Sequence, residues 1–154
     1  MRFTLLILLI LSTLTSSVAY SQKFSFVLIS DTHYGDDGAR EKTLETLSKI
    51  NSLGKTKVPF SRFSGYSDTK GLIHLGDILN EPNDSSYQFF LDDFGISGEA
   101  FCNYPVYEIC GNHDGGFLDP VRQGLIKRNP LRQNLKAISV NGLHYSWEWE
   151  DVLL

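Results

Sequence analysis

Three short apolar runs, each closing on a polar cluster, constrain this 154-residue chain more than anything else in it. Phe24-Ser25-Phe26-Val27-Leu28-Ile29-Ser30 leads into Asp31-Thr32-His33, Leu72-Ile73-His74-Leu75 into Gly76-Asp77, and Val106 to Cys110 into Gly111-Asn112-His113-Asp114. Short runs of aromatic and β-branched residues suit buried strands. Helix signals lie between and after them. Asp36-Asp37-Gly38 opens a stretch in which Leu44, Leu47 and Ile50 recur, with Leu53 continuing the stripe and Gly54 as a stop. Asn83 to Ser86 caps a second helix with Phe89, Phe90 and Phe94 on one side. Asp119-Pro120 is an N-cap followed by proline, starting a third helix that carries Val121, Leu125 and Ile126 and ends by Asn129-Pro130. Strands alternating with helices predict an α/β layer with a largely parallel sheet.

Lys55 to Gly71 mixes Gly, Ser, Pro, Lys and Arg and reads as an exposed loop. Ala137 to Val140, Asn141-Gly142 and Leu143 onward read as a β-hairpin around a two-residue turn. Tyr145, Trp147 and Trp149 alternate along its second strand, forming either a core face or an exposed apolar patch. At the start, Arg2 precedes the apolar run Leu5 to Leu11, and Ser17-Val18-Ala19 offers small residues at the −3 and −1 positions. That is the pattern of a signal peptide over residues 1–19, and Ser/Thr interrupt it too early for a membrane span. The chain is therefore expected to be secreted, with no stable membrane span after cleavage. A net charge of −4 gives no support to a role in coating nucleic acid.

In an open α/β sheet, ligands sit outside the carboxyl ends of the strands. Asp31, Asp77 and Asn112, 46 and 35 positions apart, should therefore converge. With His33 and His113 they offer two carboxylates, an amide carbonyl and two imidazoles. Oxygen donors plus imidazole suit Mn, Fe or Zn, and the lack of thiolates argues against a closed structural zinc site.

On the run of D-x-H at Asp31 and His33, G-D at Gly76-Asp77 and G-N-H-D at Gly111 to Asp114, the chain resembles the calcineurin-like metallophosphoesterase family. The resemblance covers residues 24–154 as a partial domain. It implies the N-terminal half of a four-layer β-sandwich flanked by helices, with the second sheet largely missing. It further implies hydrolysis of a phosphoric ester at a centre of two divalent metal ions. By motif position, Asp31 and His33 would ligate the first metal, Asp77 would bridge both, and Asn112 would ligate the second. His113 would protonate the leaving group or stabilise transition-state charge, with Asp114 orienting it. The family's later G-H and G-H-x-H elements have no counterpart, and only His144 follows His113. The expectation is a truncated domain that binds at most one metal well and whose activity alone is doubtful. The alternative is a non-catalytic secreted binding module that keeps the sheet and a weak metal site.

Other residues carry simpler readings. His74, inside an apolar run, reads as a packed core histidine. Arg122, Lys127, Arg128 and Arg132 read as a solvated helix face, with a phosphate contact as the alternative. Cys102 and Cys110 flank an extended stretch that would hold them too far apart for a disulfide, so both read as small buried thiols. Asn83-Asp84-Ser85 matches a glycosylation acceptor. The leader reading predicts that secreted material begins after Ala19; N-terminal sequencing that starts at Met1 would refute it.

Overall fold

A computed structural model describes residues 24–56 and 68–154. The predicted leader and most of the predicted Lys55–Gly71 loop lie outside those residues. Strands β1 (Ser25–Ile29), β2 (Thr69–His74) and β3 (Val106–Glu108) form a parallel sheet in the order β1-β2-β3. The second strand begins at Thr69, earlier than the apolar run suggested. Val27, Leu72 and Val106 stand in one row of the sheet, and Leu28, Ile73 and Tyr107 in the next. Adjacent rows point to opposite faces, so Val27, Leu72 and Val106 serve one core and Ile73 and Tyr107 another, while Leu28 is 54% exposed.

Helices cover the first face. They are α1 (Ala39–Asn51), α2 (Asp84–Asp93) and α3 (Pro120–Arg128). Leu47 and Ile50 of α1, Phe90 of α2, and Val121 and Leu125 of α3 are buried there with Leu72. The caps follow the sequence. Asn83 accepts a hydrogen bond from Ser86 N at 2.8 Å, and Pro120 occupies the first turn of α3 after Asp119. Phe89, however, leaves the apolar stripe: it is 43% exposed beneath the Arg40 guanidinium, 4.4 Å from its ring centroid. Tyr87, Phe90 and Phe94 make the buried stripe instead, because spacings of three and four residues share a helix face and adjacent residues do not.

The second face packs against a small antiparallel sheet of β4 (Leu135–Ile138), β5 (Tyr145–Trp149) and β6 (Val152–Leu153). Within the described residues, these three short strands are all there is of a second sheet. Trp147 stacks on Tyr107 with ring centroids 4.4 Å apart, and Trp149 meets Tyr107 edge-on at 5.2 Å. The aromatic alternation of β5 is therefore a core face. The hairpin turn is wider than predicted. Ile138 pairs with Tyr145, and Ser139 N donates to His144 O at 2.8 Å. Asn141 explains this: its side chain accepts from Ser139 Oγ and from Leu143 N, a local arrangement that competes with a two-residue turn.

A buried ion-pair network ties the layers together. Glu108, at the end of β3, is 1% exposed and meets Arg128 Nε and Arg132 Nη2, each at 2.7 Å. Arg132 also donates to the Val106 carbonyl and lies over the Tyr145 ring. Burial pushes the Glu108 carboxyl up, but Arg132 and Arg128 outweigh it and hold the group below its ordinary value. These two arginines are thus neither a solvated face nor a phosphate contact. Arg122 donates to Gly115 O, and Lys127 is exposed. Cys102 and Cys110 are free thiols. Because removing one partner strands a buried charge, Arg132→Met should cost about 3–5 kcal/mol in urea unfolding. A loss below about 1 kcal/mol would show that Arg128 alone satisfies Glu108.

Candidate metal centre

All three polar clusters meet at the carboxyl end of the parallel sheet, and backbone geometry brings them there. The loop after β1 is laced to the loop after β2 by Asp31 N to Gly76 O (3.1 Å), His33 N to Asp77 O (3.2 Å) and Tyr34 N to Ile78 O (2.8 Å). The loop after β3 then closes on the second. Gly76 has φ of 99°, and a Cβ there would stand 2.7 Å from Gly111 Cα. A Cβ on Gly111 would stand 2.7 Å from Asp77 Cγ. Only glycine permits backbones and a carboxylate to approach so closely.

Asp31, His33 and Asp77 all adopt positive φ, at 57°, 45° and 52°. Left-handed backbone at three non-glycine residues is strain of the kind that functional sites hold. One ligand atom from each of the three lies within 4.8 Å of the others. His33 Nε2 is 3.8 Å from Asp31 Oδ1, and its buried Nδ1 has no hydrogen-bond partner. Two carboxylates with an imidazole whose Nε2 faces Asp31 fit a divalent cation of the Mn, Fe or Zn type. A cleft of about 610 Å³ adjoins the group, lined among others by Asp36, Lys42, Thr43 and Thr46.

The third loop borders this cluster. His113 N donates to Asp77 Oδ1 at 3.0 Å, and the His113 ring meets the His33 ring edge-on at 5.0 Å. His113 Nδ1 lies 2.9 Å from Asn80 O. A carbonyl only accepts, so Nδ1 carries the hydrogen and Nε2 is left for other chemistry. Asn112 is exposed on the same loop, between Gly111 and His113. Asp114 is fully buried, and its two oxygens accept from Leu79 N (2.9 Å) and Gly111 N (2.7 Å). It straps the second and third loops together, while the His113 ring donates its hydrogen bond to Asn80 O.

Sequence reasoning did not find two supports behind the site. Tyr34, next to His33, donates to the buried Asp93 at 2.9 Å, and Arg40 grips both Asp93 oxygens at 3.0 and 2.9 Å. Their only signal was a carboxylate at the end of a helix otherwise facing the core. His74 is a core histidine as expected, yet both its ring nitrogens are engaged. Gly76 N donates to Nδ1 at 3.2 Å, and Nε2 lies 3.0 Å from Thr32 Oγ1. Burial pushes its pKa down to about 4.

Such a fold and donor set define a metal-binding α/β domain with its centre at the strand ends. The calcineurin-like phosphoesterase family profile matches residues 24–152, and the chain belongs to that family. Searches of curated proteins and of solved structures returned no match.

His74 sets a testable pH dependence. Its folded pKa lies below the ordinary value of 6.5, so the unfolded chain binds the extra proton first. Its contribution to stability is complete above about 6.5 and is lost as pH falls towards 4, by up to about 3 kcal/mol. Urea unfolding of the wild type against His74→Gln should show the variant's slope flattened across that window. Parallel slopes would refute the assignment.

Proposed function

We propose that this protein is a secreted metal-dependent phosphoesterase that hydrolyses phosphoric esters and holds one divalent ion well. The observation that carries the reading is the convergence of Asp31, His33 and Asp77 in strained backbone, with one ligand atom of each within 4.8 Å of the others. Membership of the calcineurin-like phosphoesterase family supports the reaction class. The leader-like sequence of residues 1–19 supports export. Among the described residues, no helix is long and apolar enough to cross a membrane.

Asp31, His33 and Asp77 would hold the ion, which supplies Lewis acidity that polarises a phosphoryl group and makes water more acidic. The protein's own groups do the rest. Asp77 is held in place by His113 N, so its oxygens are oriented before any cation arrives. His113 donates Nδ1–H to Asn80 O, which leaves Nε2 for the substrate side, and as the imidazolium it can give its Nε2 proton to a leaving oxygen while Nδ1–H stays on Asn80. Asn112, on the same exposed loop, is the donor on hand for a second ion shared with Asp77. Three strong donors against that single further amide support one tight ion and a weaker second.

Calorimetry with Mn²⁺ should therefore show about one tight equivalent, and slow hydrolysis of an aryl phosphate should depend on it. Asp77→Asn should weaken binding and turnover by ~10–100-fold or more. Tight metal binding without turnover, unchanged by His113→Ala, would favour the non-catalytic binding module.

A further inference from the structure

We propose that His74 and Thr32 form a brace that sets the mutual position of the two ligand loops, and through it the metal affinity of the centre. The proposal rests on the metal-site reading given above.

His74 lies in β2, fully buried. Its ring plane is fixed by edge-on contacts with Phe90 at 5.9 Å and Phe94 at 5.7 Å. A leucine or phenylalanine would fill that apolar space without the cost of burying a polar ring. The ring is instead wired at both ends. Gly76 N–H only donates, so Nδ1 accepts and carries no hydrogen. The ring proton therefore sits on Nε2 and goes to Thr32 Oγ1. Thr32 passes its own hydroxyl hydrogen to Ile78 O at 3.2 Å.

The endpoints of this chain are what give it a role. Thr32 stands between Asp31 and His33, and Gly76 and Ile78 flank Asp77. One directed relay thus reaches the backbone on both sides of one ligand and the residue between the other two. The three ligands occupy strained backbone, which persists only where surroundings over-determine it. Ligand constellations need placement within about 0.5 Å, and hydrogen bonds behind the ligands typically supply it. His74 and Thr32 are positioning residues: neither is in the ligand set itself.

The test is Mn²⁺ calorimetry on the full chain, with near-ultraviolet circular dichroism confirming that each variant is folded. Thr32→Val, which keeps shape and removes the hydroxyl, should raise the dissociation constant ~10–100-fold, whereas Thr32→Ser should stay close to wild type. His74→Leu should weaken binding to a similar degree, and adding Thr32→Val to it should cost little more, because both break one relay. Folded Thr32→Val that binds Mn²⁺ within about twofold of wild type would overturn the proposal. So would Thr32→Ser weakening binding as much as Thr32→Val does. If His74→Leu does not fold, the Thr32 pair decides alone. Failure of the wild type to bind Mn²⁺ would overturn the metal centre itself, an outcome separate from any variant.

Discussion

The close approach of the loops that follow β2 and β3 is the constraint on which the rest of this structure depends. Gly76 and Gly111 meet with no room for a side chain, and Asp77 lies in the gap they leave. From that contact the third loop can donate His113 N to Asp77, and Asp114 can reach Leu79 N in the second loop and Gly111 N in its own. The first loop is then held by backbone hydrogen bonds to the second. Asp31, His33 and Asp77 take left-handed backbone as a result, at a cost of roughly 1–3 kcal/mol each. The strain is tolerated because several independent bonds hold the same geometry.

The way this protein treats its carboxylates separates scaffold from site. Glu108 is neutralised by Arg128 and Arg132, and Asp93 by Arg40. Among the described residues, Asp114 carries no cation partner but is satisfied by two backbone N–H groups. Among the described residues, Asp31 and Asp77 have neither a lysine nor an arginine within ion-pairing distance. The His33 imidazole turns Nε2 to within 3.8 Å of Asp31 Oδ1, and its buried Nδ1 has no hydrogen-bond partner among the described residues. Two acceptors and an imidazole without a compensating cation form a site that a divalent ion completes.

The second face of the parallel sheet is covered at Ile73 and Tyr107, while Leu28 of β1 stays 54% exposed. Three short strands bring Trp147 and Trp149 over Tyr107 and Ile73, and Arg132 lies between Tyr107 and Tyr145 while reaching Glu108. That single arginine joins the ion-pair network to the aromatic core, so the charge network and the two-sheet packing stand or fall together.

Features that depend on neighbours a few residues apart were legible in the amino-acid order. Apolar runs set the three strands, Asn83 and Asp119-Pro120 set helix starts, and polar clusters at the strand ends placed Asp31, His33, Asp77 and Asn112 on one edge. Those signals are local, because strand burial, caps and turns are decided within one or two turns of chain. Tertiary structure alone decided that Arg128 and Arg132 turn inward to Glu108, that Tyr87 rather than Phe89 faces the core, and that Asp114 straps two loops. It alone gave His74 its partners, since Thr32 lies 42 positions away. A buried polar group takes whichever complementary group the packed layers bring within about 3 Å, and sequence separation carries no record of that choice.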